Sequence, residues 1–443
     1  MTIAFPLILQ QVITYSVNLL DTMMIGSFGD AALASVNLVN QFYLIFSMVI
    51  FGSISGGNVL NAQFWGKRDL KSIHHVMGIQ FMFGFLVGAG FLIVSNLFPR
   101  QILLIYSKDE AVIENGIVYL RIISAVFLLF PIGQIYSGAL RCTGNTRTPM
   151  LISGCALCIN ALLNYMLIFG RLGLPALGIA GAGIATVIAR LIEALLYVFI
   201  TYSRALPTAA KFREMFRFRR PLVMLVLRKG APVIVNETLW GLGTNAYATV
   251  YAGISTAAIA AYSAVNPVDN IAQALFIGVG DACAVLIGNL LGADEMEKAR
   301  RYARYTLCLS FCASVLTGLL LFLFRIPIVG LYTLSAEAEA SAVNLLIVVA
   351  FTTWMRTMNY TIIIGILRPG GQALFCLLAE SLIMWLVGIP LANLLAFRFG
   401  LPVYWAYFGL VTEEVLKLII MFLRYKSGKW LVDLVSHAEK EAF

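Results

Sequence analysis

Long apolar segments recur along the whole chain and restrict what it can fold into. Each segment has about 20 residues, the length that spans a lipid bilayer as an α-helix, and sustained β-type alternation is absent. Of the 443 residues, 60% are hydrophobic and 12% are charged. A soluble domain has roughly 25% charged residues. We therefore predict an all-α membrane protein with about twelve transmembrane helices. Representative segments are Met77–Phe98, Ala182–Tyr202, Leu307–Phe324 and Phe375–Phe397.

The basic residues are distributed unevenly between the loops. The chain has 31 Lys and Arg residues and 22 Asp and Glu residues. If the first helix starts in the cytoplasm, most of the basic residues fall in loops on that side. The positive-inside rule then predicts a cell-membrane protein with both termini in the cytoplasm. Because topology accounts for the positive charge, we expect contact with membrane lipid and no binding of nucleic acid.

The two halves of the sequence resemble each other. Pro6 and Pro232 are 226 positions apart, as are Gly52 and Gly278. With one inserted residue, the motif Gly138-x-Leu140-Arg141 aligns with Gly365-x-Leu367-Arg368. An even number of helices in each half predicts parallel repeats, a plan known among secondary transporters. We expect a six-helix lobe over residues 1–203, a basic cytoplasmic linker over 204–229, and a second six-helix lobe with a short tail over 230–443.

Residues for catalysis are scarce. The chain has three His residues, and no metalloprotease, serine-hydrolase or phosphate-loop motif stands out. Gly84-x-x-x-Gly88 is typical of a helix-packing face. We therefore expect no enzymatic activity and no cofactor, with a membrane-embedded enzyme kept as an alternative.

Two acidic residues lie within apolar segments, where an ionised side chain is energetically expensive. Asp21 falls in the first segment, and Glu237 follows Pro232 in the segment that opens the second half. Each has a structural alternative: Asp21 could cap a helix end, and Glu237 could pair with a neighbour such as Asn236 or Asn245. The roles of Asp269, Asp281, Glu193 and Glu380 stay open. Glu413, Glu414 and Lys417 have the spacing of a salt bridge on a helix surface.

Asn160 and Asn164 are four residues apart and so share one face of a helix. Thr186 lies near the start of the following apolar segment. Their amide and hydroxyl oxygens, beside one carboxylate, could hold a small cation such as Na⁺, and the carboxylate alone could carry H⁺. The same residue types also join helices by hydrogen bonds, so the spacing leaves both interpretations open.

Several motifs together resemble the multidrug and toxic compound extrusion (MATE) transporters, over nearly the whole chain. The helix of Glu237 is also similar to that family. The matching motifs are Asp21-Thr-Met-Met-Ile-Gly26-x-x-Gly29, Gly144-Asn-Thr-Arg147-x-Pro149, Asn160-x-x-x-Asn164-x-x-x-Ile168-Phe-Gly170, Gly181-Ala-Gly-Ile-Ala185-Thr186, Glu413-Glu414-x-x-Lys417 and Arg424-x-x-Ser427-Gly-Lys-Trp430.

The resemblance implies two six-helix lobes arranged as a V around a central cavity that opens alternately to each side. It implies expulsion of organic cations or drugs in exchange for Na⁺ or H⁺, by a protein that we expect to function as a monomer. By matching position, Asp21, Asn160, Asn164 and Thr186 would form the cation site. Glu237 would be the acid of the substrate cavity.

The sequence departs from the family pattern at two points. Where some members carry a further Asp, this chain has Arg356-Thr357, so the expected ion site is the one in the N-terminal lobe. The short basic segment that usually precedes the first helix is missing, so we expect the natural start to lie upstream. A lipid-linked oligosaccharide flippase is the main alternative. It would need arginines facing the cavity, for which Arg121, Arg190 and Arg356 are the candidates.

Overall fold

The computed structural model describes residues 5–11, 14, 24, 30–171, 173, 175–217, 220–332 and 334–436. Within these ranges every regular element is helical, and no strand occurs. The chain separates into two compact units. The N-unit is Leu9–Ile234, and the C-unit is Val235–Glu441 together with Met1–Ile8.

The described helices of the N-unit run in sequence order and are joined by short turns. They are α1 (Asp30–Gly66), α2 (Leu70–Leu97), α3 (Pro99–Leu104), α4 (Glu110–Ile123), α5 (Val126–Cys142), α6 (Arg147–Phe169), α7 (Gly178–Ser203) and α8 (Phe212–Met215). The next helix, α9 (Arg220–Ile254), starts inside the predicted linker and ends in the C-unit.

Three segments of the C-unit have the wider π-helical turn: Thr361–Leu367, Met384–Gly388 and Leu394–Arg398. Its α-helices are α10 (Thr256–Gly292), α11 (Met296–Leu323), α12 (Arg325–Val329), α13 (Ala336–Tyr360), α14 (Ala373–Ile383), α15 (Ile389–Asn393), α16 (Val403–Ala406) and α17 (Phe408–Lys426).

The prediction of a helical membrane protein is confirmed. Among the described residues, 8 helices are long and apolar enough to cross a membrane. The pair α4 and α5, bent by 49°, forms one more candidate span. Large apolar side chains such as Leu86 (72% exposed) and Phe199 (69% exposed) point outward. Water would not favour so much uncovered apolar surface, whereas lipid does.

In lipid the hydrophobic effect does not drive helices together, so their association depends on close van der Waals packing. Small residues allow that close packing. A Cβ atom at Gly88 would lie 2.3 Å from the carbonyl oxygen of Phe127, and one at Gly84 would lie 2.9 Å from Cβ of Pro131. The prediction that Gly84-x-x-x-Gly88 is a packing face is therefore confirmed, and its partner is α5.

Candidate functional site

The N-unit encloses a cavity of about 550 Å³, which we call the N-cavity. Its volume lies in the range of about 300–1,000 Å³ that is typical of pockets for drug-sized ligands. Amide and hydroxyl side chains form much of its wall, so it can offer many hydrogen bonds to a bound molecule. Six of them are Asn37, Asn40, Gln134, Asn160, Asn164 and Thr186.

Three of the predicted cation-site residues come together in this wall. The Asn160 Nδ2 donates to Thr186 Oγ1 at 3.4 Å, and the Asn164 Nδ2 donates to Asn160 Oδ1 at 3.4 Å. The Thr186 hydroxyl donates to the carbonyl of Ala182 at 3.0 Å. Asp21, the predicted fourth member, lies outside the described residues. A hard cation such as Na⁺ binds oxygen ligands. These neutral oxygen atoms would therefore suit it if a carboxylate completed the group.

Glycine brings the two helices of this group together. A Cβ atom at Gly181 in α7 would lie 2.5 Å from the carbonyl oxygen of Leu167 in α6. Only a residue without a side chain allows that approach. Gly181 lies five residues, or about one and a half helical turns, before Thr186, so this contact helps set the distance between Thr186 and the asparagines of α6.

An ion pair between a half-buried arginine and a buried glutamate forms another part of the N-cavity wall. The Nη1 of Arg190 lies 2.7 Å from Oε2 of Glu193, and the side chains are 30% and 7% exposed. The Ser153 hydroxyl donates to Glu193 Oε1 at 3.0 Å. The Arg190 guanidinium lies 5.5 Å from the ring centre of Phe130, within cation–π range. Sequence reasoning missed this pair as a site because the spacing of three residues is also that of an ordinary helical salt bridge.

Glu237 lies in the C-unit, within a cluster of buried charges. Its Oε1 is 2.7 Å from Nη1 of Arg368, whose side chain is 4% exposed. Glu380 Oε2 is 3.8 Å from Nη2 of the same arginine and accepts a hydrogen bond of 2.8 Å from Asn236. Asn236 therefore binds Glu380, and the ion-pair partner of Glu237 is Arg368 rather than a neighbouring asparagine. The role of Glu237 in substrate binding stays a prediction.

The C-unit has a smaller cavity of about 110 Å³, which we call the C-cavity. It is lined by Asp269 and Arg356, which form an ion pair, and by Glu413 and Glu414. Asp269 Oδ1 is buried and has no hydrogen-bond partner among the described residues. Because pockets for drug-sized molecules start at about 300 Å³, this cavity has room only for small species.

The predicted pairing of Glu413 and Glu414 with Lys417 is present, at 2.9 and 2.7 Å. The predicted location on a helix surface is wrong, because the three side chains are only 3%, 11% and 5% exposed. Tyr247 donates to Glu413 at 2.5 Å, and Asn359 donates to Glu414 at 2.7 Å. These partners satisfy the buried carboxylates, which spacing along one helix could not reveal.

Known proteins match this chain over nearly its whole length. A family model described as MatE matches residues 6–166 and 232–394. The probable multidrug resistance protein NorM of Thermotoga maritima is 25% identical, over 97% of this chain and 92% of that protein. The multidrug resistance protein NorM of Burkholderia vietnamiensis is 26% identical, over 96% and 92%.

Solved structures share the fold. An outward-facing structure of a multidrug resistance MATE family transporter of the MOP superfamily superposes with a TM-score of 0.88. The sequence identity is 16%, and the match covers 99% of this chain and 96% of that one. A MATE structure in complex with MaL6 superposes with a TM-score of 0.89 at 17% identity, covering 99% and 96%.

Proposed function

The chain belongs to the MatE family of multidrug efflux transporters, and from this premise we propose that it expels organic cations or drugs in exchange for Na⁺ or H⁺. Membership identifies a multi-pass membrane protein and a transporter rather than an enzyme. The substrates are small molecules. We place it in the cell membrane as a monomer with both termini in the cytoplasm.

The observation that best supports the proposal is the N-cavity with its three oxygen-bearing side chains. Its volume of about 550 Å³ suits a drug-sized substrate, and the same wall carries Asn160, Asn164 and Thr186. Substrate and coupling ion would then bind in one compartment of one unit. Such proximity lets one ligand influence the binding of the other.

Coupling requires that the ion favour one conformation over another. In the proposal, Asp21 joins the three side chains and binds Na⁺ or H⁺. An ionised carboxylate in an apolar setting costs several kcal/mol unless a cation or proton compensates it. The protein conformation in which the site is well hydrated is therefore favoured when the site is empty, and a drier conformation is favoured when an ion is bound. A ligand shifts the equilibrium between two conformations by its difference in affinity for them, which supports alternating access.

Arginine placement argues against the flippase alternative. Arg121 is exposed and does not line the described cavities. Arg190 lines the N-cavity and Arg356 lines the C-cavity, so neither described cavity brings several of these arginines together. A pyrophosphate group would be recognised best by several guanidinium groups in one cavity.

The test is transport by the purified protein in liposomes. Ethidium movement is followed by fluorescence while a Na⁺ gradient, and separately a pH gradient, is imposed. We expect ethidium to move against its own gradient in at least one condition. Failure in both, together with movement of a fluorescent lipid-linked oligosaccharide, would establish the flippase instead.

A further inference from the structure

The Arg190–Glu193 pair presents its positive member to the N-cavity. The Arg190 side chain is 30% exposed and the Glu193 side chain only 7%. Both carboxylate oxygens of Glu193 are already engaged, one by the Ser153 hydroxyl and the other by Arg190. The acid therefore has little capacity left for a ligand.

Arg190 has N–H donors that remain available to a ligand. A guanidinium carries five N–H donors, and in the described part of the chain one hydrogen bond engages them, from Nη1 to Glu193. The ring centre of Phe130 lies 5.5 Å from the guanidinium carbon. A planar fork of N–H donors at a cavity wall matches the two oxygens of a carboxylate.

A cavity-facing guanidinium adds nothing to the binding of a purely cationic compound, because its N–H donors cannot bind a positive group. It is favourable if the substrate also carries an anionic group. The amides of Asn37, Asn40 and Gln134 line the same cavity and can bind polar groups between the two charged ends.

We propose that Arg190 is a specificity-determining residue that binds the carboxylate of amphoteric organic substrates. The substrate class is then compounds with both a basic nitrogen and a carboxylate. This inference rests on the proposed function only in taking the N-cavity as the substrate cavity. The carboxylate binds Arg190, and the basic nitrogen lies elsewhere in the cavity.

The test compares the free-acid and methyl-ester forms of one rhodamine dye, which differ only in that the acid is amphoteric and the ester is a cation. Binding to the purified full-length protein in detergent is measured by fluorescence polarisation without any gradient. We expect the wild type to bind the acid about tenfold more tightly than the ester, the size of effect that a charge-assisted hydrogen bond produces.

Arg190→Gln is expected to reduce the acid-to-ester affinity ratio to about one. Because that change leaves Glu193 buried without its partner, the neutral double variant Arg190→Gln/Glu193→Gln serves as a second test that preserves shape. Arg121→Gln, which removes an exposed arginine of α4 away from the N-cavity, is the matched control and should keep the wild-type ratio. Arg190→Lys should keep part of the preference, since it retains the charge without the fork.

A wild type that binds acid and ester equally would overturn the proposal, and so would a double variant that keeps the wild-type ratio. These failures are separate from failure of the antiport proposal, because no gradient is present in the binding assay. Gradient-driven ethidium efflux without acid preference would overturn the role of Arg190 alone. Acid preference without gradient-driven efflux would overturn the coupling alone.

Discussion

Glu237 and Arg368 form an ion pair of 2.7 Å in the C-unit, with side chains that are 16% and 4% exposed. The equivalent positions in the first half hold Gln11 and Arg141, so the repeat conserves the arginine without its acid. The pair gives Glu237 a structural role that competes with the predicted role in attracting cationic substrates. The two roles have different consequences on mutation.

Glu237→Gln is expected to lower the melting temperature of the purified protein. Removing one partner of a buried pair costs about 3–5 kcal/mol, and the lower end is expected here because Glu380 remains 3.8 Å from Arg368. The neutral triple variant Glu237→Gln/Arg368→Gln/Glu380→Gln leaves none of these three charges without its partner, so it should recover part of that loss. If Glu237 also attracts cationic drugs, the triple variant will regain stability without regaining cation efflux. Recovery of both would assign Glu237 a purely structural role.

Asp21→Asn should abolish ion-driven efflux while the protein still folds. The amide mimics the loaded, neutral carboxylate permanently, so the site loses the charge difference that distinguishes its two states. Drug efflux from liposomes is measured under a Na⁺ gradient and then under a pH gradient. Pumping at the wild-type rate under both gradients would remove Asp21 as the coupling residue.

Asn160→Ala and Asn164→Ala should reveal which ion is coupled. If Na⁺ binds, loss of an amide ligand should raise the Na⁺ concentration for half-maximal efflux by about tenfold, since a lost hydrogen bond or ligand contact is worth roughly 1–1.5 kcal/mol. If H⁺ binds, the amides are not ligands and the pH dependence of efflux should change little. If wild-type efflux depends on Na⁺ and a variant leaves that dependence unchanged, the substituted residue is not part of the ion site.

Gly181→Ala should disturb the Asn160–Thr186 group without changing any of its members. The new Cβ would lie 2.5 Å from the carbonyl oxygen of Leu167, so α7 must move away from α6. Overpacking of this kind costs about 1–3 kcal/mol, and we expect a lower melting temperature and weaker coupling. Gly154→Ala in α6 is the control, because its Cβ would meet no atom within 4 Å. Equal behaviour of the two variants would contradict the packing argument.

Topology can be read from cysteine labelling in a variant that lacks the seven native Cys residues. Lys108→Cys and Glu214→Cys place single thiols at exposed positions before α4 and within α8. In intact cells, an impermeant maleimide should label position 108 and leave position 214 unlabelled, because the positive-inside rule places the basic segment around α8 in the cytoplasm. The opposite pattern would reverse the assigned orientation.

The sequence alone determined the helical membrane fold and the repeat. A bilayer requires every backbone polar group to be satisfied within a segment, so apolar length by itself specifies a spanning helix. The four-residue spacing of Asn160 and Asn164 also predicted one shared face, and the structure places both in the N-cavity wall. These properties are local along the chain and need no knowledge of neighbouring helices.

Tertiary structure decided the partners of the buried charges. Glu237 pairs with Arg368 from a distant segment, and Lys417 with its two glutamates is buried rather than exposed. Which member of the Arg190–Glu193 pair faces the cavity depends on Ser153 in the adjoining helix. The rotation and depth at which one helix packs against another determine these contacts. Periodicity within a single helix shows which residues share a face, but not which residues of a neighbouring helix that face will meet. The partners that compensate a buried charge are therefore known only once the helices are packed.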